Sequence, residues 1–213
     1  MISTTRTFGW LAATAMALVL ATGAQAQAAK APDGLIKEIS SDVLESVKAD
    51  KTIQTGDVKK VTTLVDQKVM PYVDFERMTA SAVGRYWRQA TPDQQKRLEN
   101  EFKLLLVRTY SGALSQVSQE QTIELKPMRS AAGDNEVVVR TEIRGKGDPI
   151  QLDYRLAKAG ASWKIYDVNV LGVWLVENYR NSFAQEIGAN GIDGLIAKLA
   201  ERNKAAGAAS AKS

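Results

Sequence analysis

Three aspartates stand where a carboxylate could do chemistry: Asp74 behind Pro71-Tyr72-Val73, Asp153 in an alternating stretch, and Asp167 directly after Tyr166. Carboxylates alone can run acid and base catalysis, and little else in the chain adds to them. It has no histidine and no cysteine. That excludes Ser-His-Asp and Cys-His catalysis, cysteine nucleophiles and the usual zinc sites. Gly145-Lys146-Gly147-Asp148 has the composition of a hairpin turn, whereas a phosphate loop would need Lys-Ser/Thr opening a helix. Each aspartate also has a structural use. Asp74 is placed to cap a helix, Asp153 falls on the polar side of a strand, and Asp167 is placed to pair with an arginine. Enzymes working through carboxylates or tyrosine stay open.

The elements around these residues divide the chain by period. Leu35, Ile36, Ile39, Val43, Leu44 and Val47 fall at helical spacing, as do Val58, Val61, Leu64, Val65 and Val69 up to Pro71. Asp74 opens a short third helix containing Met78 and Val83. Thr91-Pro92-Asp93-Gln94 supplies a Thr cap, Pro at the first helical position and Gln three residues on. From there Leu98, Phe102, Leu105, Leu106, Thr109, Ala113 and Val117 carry one face for about 25 residues. The period then becomes two. Strands are expected at Ile123–Lys126, Val137–Arg144, Ile150–Leu156 and Trp163–Val170, the last with Tyr166, Val168 and Val170 on one side. Helices near Leu175–Ile187 and Ile192–Arg202 close the chain, the second opened by Asn190-Gly191.

Each strand has one apolar and one polar face, so the sheet covers helices on one side only. The class is α+β, with helices packed on one face of a four-stranded antiparallel meander. The facing surfaces carry more apolar area than a two-layer core requires, which points to an internal space.

Residues 1–26 have the make-up of an export signal. Arg6 gives a positive start, Phe8 to Ala21 is apolar apart from Gly9 and Thr14, and Ala24-Gln25-Ala26 is the exit. The mature chain is expected to begin near Gln27. The apolar run is shorter than the ~20 residues that span a bilayer. Residues 27–34 are expected to be a flexible leader, 35–203 one folded domain, and 204–213, with nothing large to bury, a disordered tail. A domain of this length buries roughly 70% of its unfolded surface and needs no disulfide. The formal charge of +4 is too small and too evenly mixed to suggest nucleic acid, but suits anionic membrane surfaces or acidic protein partners.

Several consecutive stretches carry a resemblance. They are Pro71-Tyr72-Val73-Asp74-Phe75-Glu76-Arg77-Met78, Gly84-Arg85-Tyr86-Trp87-Arg88-Gln89-Ala90-Thr91-Pro92, Leu105-Leu106-Val107-Arg108-Thr109-Tyr110, Trp163-Lys164-Ile165-Tyr166-Asp167-Val168, and Gly172-Val173-Trp174-Leu175-Val176-Glu177-Asn178-Tyr179-Arg180, ending in Phe183. In this order, over about residues 35–200, they resemble the MlaC or toluene-tolerance family of periplasmic phospholipid-binding proteins. Trp174 stands where the family commonly has Ser, and Asn181 where Ser or Thr is usual. A larger ring at 174 is expected to narrow or reshape part of the cavity.

The resemblance implies a curved, NTF2-like sheet with phospholipid chains held between it and the helices. It implies a carrier with no catalytic step and no cofactor, with a diacyl phospholipid as cargo. The implied partners are the MlaA-containing outer-membrane complex and MlaD of the inner-membrane transporter; the carrier is expected to be a periplasmic monomer that does not bind nucleic acid. The candidate lipid-binding residues are Met70, Phe75, Met78, Val83, Phe102, Leu106 and Tyr110 from the helices. From the sheet and the segment after it come Val139, Ile143, Leu152, Tyr154, Val168, Val170, Val173, Leu175 and Tyr179. Ordinary core is the alternative for each. Arg85, Arg88, Arg97, Arg140 and Arg144 are candidates for lipid phosphate or partner proteins, with a solvated face as their alternative. Two rivals accompany the carrier: a carboxylate-based enzyme on the same scaffold, and a periplasmic protein-interaction module.

Overall fold

The computed structural model describes residues 30–128 and 133–210; the export segment 1–26 and the start of the leader lie outside them. Helix α1 spans Pro32–Ala49 and buries Leu35, Ile36, Ile39, Leu44 and Val47. It starts inside the expected leader because proline at the first helical position loses no hydrogen bond. Asp50 and Asp57 cap α2 (Lys51–Gln54) and α3 (Val58–Lys68) by accepting from the backbone N–H groups of Thr52 and Lys60. Pro71 sits in a 3-10 turn, Met70–Tyr72. Asp74 then accepts from the Arg77 N–H at 3.0 Å and caps α4, Phe75–Val83. The capping box at Thr91 is complete: the Gln94 N–H donates to Thr91 Oγ1 at 3.2 Å, and the Thr91 N–H to Gln94 Oε1 at 3.0 Å. It opens α5, Pro92–Ser111. The stripe read through Val117 tightens after Ser111 into a 3-10 turn, Gly112–Gln116.

The sheet is an antiparallel meander in the order β1-β2-β3-β4-β5. Its strands are β1 Thr122–Leu125, β2 Glu136–Arg144, β3 Ile150–Ala159, β4 Ser162–Val170 and β5 Val173–Trp174. It therefore has five strands where the alternation suggests four. Leu171 and Gly172 both take positive φ, 52° and 90°. A tight turn of that handedness matches strand twist, and it brings Val173 back against Val170. Two residues offer no alternation to read.

A second departure lies within β4. Arg155 pairs with Asp167, but Leu156 pairs with Ile165, leaving Tyr166 as an extra residue. Such a bulge bends the strand and shifts its pleat. Trp163 and Ile165 face the helices before it, and Val168 after it packs against the same core. Tyr166 is turned to the outer face, not the side it shares with Val168 by strict alternation.

Helix α6, Leu175–Ser210, is two helices joined across Gly191, whose φ of 72° breaks the ladder. It runs on through 204–210, within the expected tail, because alanine is the best helix former even with nothing to bury. Gly207 there lies close under the Arg108 guanidinium.

Three apolar clusters hold the layers. Met78 and Val83 of α4, Leu98, Phe102 and Leu105 of α5, and Val176, Tyr179, Phe183 and Ile187 of α6 make the helical core. Phe102 is its hub, 5.1 Å from Tyr179 and 5.2 Å from Phe183 in edge-on contact. Leu35, Ile36 and Ile39 seat α1 on Val137, Val139, Leu156 and Ile165. Val47, Ile53, Val61, Leu64 and Val107 close the third cluster.

On the outer face the Arg77 guanidinium stacks 3.7 Å over the Tyr166 ring and donates to Glu136 at 2.6 Å. The Tyr166 hydroxyl donates to the same carboxylate at 3.0 Å. Arg77 first, then Tyr166, hold the Glu136 carboxyl below the usual glutamate range. A folded-state value below the unfolded one contributes stability above the unfolded value and loses it as pH falls through the folded one. Glu136→Gln should therefore be less stable than the parent at neutral pH, and that difference should shrink below the ordinary glutamate range. Urea midpoints between neutral and strongly acidic pH test this; a difference constant with pH would refute the linkage.

Candidate functional site

Between α3, α5 and β4 lies a cavity of about 300 Å³. Val168 and Val170 of β4 and Leu175 at the start of α6 form one side. Val61, Leu64, Val65 and Val69 come from α3 and its end, with Val43 of α1 beside them. Met70, Val73, Phe75 and Met78 come from the stretch into α4. Lys103, Leu106, Val107, Tyr110 and Ser111 of α5, with Leu114, complete the wall.

Eight of the candidate residues are on this wall: Met70, Phe75, Met78, Leu106, Tyr110, Val168, Val170 and Leu175. The other eight are elsewhere. Val83, Phe102 and Tyr179 are in the helical core. Val139 and Tyr154 pack in the cluster under α1, where the Tyr154 hydroxyl lies 3.5 Å from Ser40 Oγ. Ile143 is paired with Ile123 and Ile150 towards the far end of the sheet, and Leu152 is half-buried opposite Thr141. Val173 is 47% exposed. For the candidates of β2 and β3 the cause is shared. Alternation says which face a strand residue takes, but α1 fills the space over β2 and β3, leaving only β4 to face the cavity.

The wall residues not singled out from sequence include Val61, Leu64, Val65 and Val69, a stripe expected to be core. Lys103, Val107, Ser111 and Leu114 join Leu106 and Tyr110 at offsets of three, four, seven, eight and eleven along one side of α5. They flank the Leu98-Phe102-Leu105 stripe. Helix α5 therefore carries two adjacent stripes, one for the core and one for the cavity, and its unusually wide apolar face was the available signal.

Chemically the wall offers carbon and three polar groups. The Ser111 hydroxyl donates to the Arg108 carbonyl at 3.4 Å. Burial, then the nearby Tyr179, pushes the Tyr110 phenol up from its ordinary value. The Lys103 ammonium donates to Asp66 of α3 at 2.8 Å.

The three candidate catalytic carboxylates are off the wall. Asp74 is a helix cap. Asp153 lies beside Arg140 at 3.8 Å and Gln151 at 3.3 Å. Asp167, 1% exposed, accepts from the N–H groups of Val168 at 2.9 Å and Val176 at 3.1 Å and from Arg155 at 3.0 Å. Burial pushes its carboxyl up, and the Val176 N–H and Arg155 oppose that. It ties β4 to the start of α6. Arg155 in turn stacks 3.8 Å over the Trp174 ring and reaches Glu177 at 3.3 Å. Trp174 thus braces the outer face and does not line the cavity, contrary to the expectation that its ring reshapes it. Among the arginines, Arg85 meets the Tyr86 hydroxyl, Arg97 meets Asp93 and Asp193, and Arg144 meets Glu124 and Glu142. Arg88 is exposed. None of the five is on the wall.

Among the described residues no group of His, Cys, Asp and Glu is placed to hold a metal, and no helix is long and apolar enough to cross a membrane.

The family model described as MlaC protein matches residues 37–201. The chain belongs to the MlaC family. A solved structure from Ralstonia solanacearum, described as a phospholipid-binding protein in complex with a phospholipid, is 45% identical. It superimposes with a TM-score of 0.78 over 82% of this chain and 98% of that one. Two curated relatives agree. The toluene tolerance protein ttg2D of Pseudomonas putida is 26% identical over 186 residues, 84% of this chain and 86% of the relative. The intermembrane phospholipid transport system binding protein MlaC of Haemophilus influenzae is 25% identical over 172 residues, 79% of this chain and 80% of the relative.

The division of α5 into core and wall stripes can be measured. Phe102→Ala should lower unfolding free energy by about 3–5 kcal/mol, because a fully enclosed ring leaves a void. Leu106→Ala, whose side chain already borders open space, should lower it by only about 1–2 kcal/mol. Equal losses in urea denaturation would contradict the assignment.

Proposed function

We propose that this protein is a periplasmic phospholipid carrier. It takes diacyl phospholipid between an MlaA-containing outer-membrane complex and MlaD of the inner-membrane transporter, and so maintains outer-membrane lipid asymmetry. The observation that carries this is the carbon-lined cavity between α3, α5 and β4 in a chain 45% identical to a protein solved with a phospholipid bound.

The energetics favour an enclosed site. Two acyl chains expose on the order of 30 methylenes, and at ~0.8 kcal/mol each their transfer to water costs about 24 kcal/mol. An apolar cavity nearly matches the bilayer interior, so exchange between membrane and carrier is close to thermoneutral and the partners set its direction.

In this reading the protein is a carrier with no catalytic step; the wall carries no carboxylate. The protein acts as a monomer, exported by residues 1–26 and mature from near Gln27.

Native mass spectrometry of the purified protein followed by lipid extraction tests the carrier. A stoichiometric diacyl phospholipid should survive purification, and Leu106→Trp, which fills the cavity, should lower the load several-fold. A protein that purifies lipid-free and takes up none from vesicles would overturn the proposal.

A further inference from the structure

The excess positive charge of the chain is not spread evenly. The end of α4, the 3-10 turn Gly84–Gln89 after it, the start of α5 and helix α6 from Arg180 past its kink carry six basic residues: Arg85, Arg88, Lys96, Arg97, Arg180 and Lys198. Only three acidic ones, Asp93, Glu186 and Asp193, stand among them. That local excess of three compares with a formal +4 for the whole chain. Side chains tie these elements together. Arg180 donates to the Ser81 carbonyl in the last turn of α4 at 3.1 Å, Gln95 of α5 to the Trp87 carbonyl at 3.0 Å, and Gln94 to Asp193 at 3.0 Å.

The acids are already engaged. Arg97 lies between Asp93 and Asp193, at 3.8 and 3.7 Å, and Glu186 is met by Lys198 and Asn190. Among the described residues no carboxylate pairs with Arg85, Arg88 or Arg180, whereas Arg77, Arg140, Arg144 and Arg155 each have one. All three are exposed. A helix C-terminus favours cations, which accounts for Arg180 at the end of α4. It does not account for the other two. Gly84, with φ of 66°, ends the helix, so Arg85 and Arg88 lie beyond it. Arg85 is steadied by its neighbour, donating to the Tyr86 hydroxyl at 2.9 Å. Uncompensated like charge opposes a compact fold, so this cluster suits a counter-charge from outside.

Two kinds of partner could supply it. A folded acidic protein is held through a desolvated apolar centre with large anchors, and this region offers none. Tyr86 and Trp87 are half-buried against the helical core, and the exposed large apolar side chains among the described residues, Leu171 and Val173, belong to the turn between β4 and β5. A bilayer needs no such centre. Its anionic head groups are fluid, guanidinium donors match their phosphates, and each basic residue near the surface strengthens association about fivefold.

We propose that Arg85, Arg88 and Arg180 form a docking surface for anionic phospholipid bilayers. This goes beyond the carrier reading: the patch shares no residue with the cavity wall and acts on where the protein rests, not on what it holds.

Co-sedimentation of the mature protein with vesicles tests this. Binding should rise at least tenfold when phosphatidylglycerol is added to phosphatidylcholine, and should fall steeply from low to physiological salt as screening shortens. Arg85→Gln/Arg88→Gln/Arg180→Gln should weaken it about a hundredfold, three times the fivefold step, and the triple Arg→Lys variant should restore most of it. Lys51→Gln/Lys59→Gln/Lys60→Gln removes as much exposed charge beside the cap carboxylates Asp50 and Asp57 and should stay within twofold of the parent. Soluble glycerophosphoglycerol should displace the protein no better than sodium chloride of equal ionic strength. Better displacement would assign the arginines to a free phosphate ester and overturn the docking surface. So would binding that ignores phosphatidylglycerol, or equal losses in the arginine and lysine variants. A parent that ignores vesicles but binds polyglutamate through the three arginines would overturn it in favour of an acidic protein. The lipid load by native mass spectrometry should be the same in every variant, so failure of the docking surface leaves the carrier standing.

Discussion

Asp167 gathers the backbone N–H groups of Val168 and Val176 and the Arg155 guanidinium onto one buried carboxylate, and the position of the cavity depends on that cluster. The bulge at Tyr166 makes it possible. One extra residue carries Asp167 to the outer face and returns Val168 and Val170 to the inner one. From the outer face the carboxylate meets the first turn of α6, where unsatisfied N–H groups and the helix dipole favour an anion. Leu175 and Val176 are then delivered side by side, one to the cavity and one to the helical core. Without the bulge, strict alternation would put Tyr166 inside and the carboxylate out of phase with α6.

The same economy appears in α5. A helix of this length spans about 30 Å, and its two apolar stripes let it be the shared wall of core and cavity. The Phe102 hub gives the core stripe the close packing that interiors require. The wall stripe can then be left loosely covered without loss of the fold. Helix α3 covers it, and the 3-10 turn at Met70–Tyr72 hinges α3 to α4. The two methionines on the wall, Met70 and Met78, are flexible enough to follow chains of varied shape.

Much of this is legible in the residues alone. The capping box at Thr91, the Asp74 cap, four strands and the break at Gly191 each have a local signal, and each is in the structure. The features that escape a reading of the residues are non-local. The bulge at Tyr166 is a matter of pairing with β3, and no pattern within β4 marks it. Strand β5 exists only because Leu171 and Gly172 turn with positive φ. Four of the candidate cavity residues, Val139, Ile143, Leu152 and Tyr154, lie off the wall because α1 occupies the space over β2 and β3, a fact of helix placement that periodicity cannot carry. Lys103 escapes the apolar pattern because a charged residue beside Phe102 breaks it.

The sheet's margins bear on how such a cavity stays available. An open antiparallel sheet presents two edges that can pair with other chains. Here both edges are short: β1 has four residues and β5 two. Beside β1, Lys126 pairs with Glu142 and Glu124 with Arg144, so any strand added there must pass charged side chains. Past β5 the chain turns at once into α6. Among the described residues the large apolar side chains that remain exposed are at the β4–β5 turn, Leu171 at 65% and Val173 at 47%. Its neighbours Val170 and Leu175 are on the cavity wall. The fold therefore keeps its terminal strands short and leaves apolar surface next to the cavity.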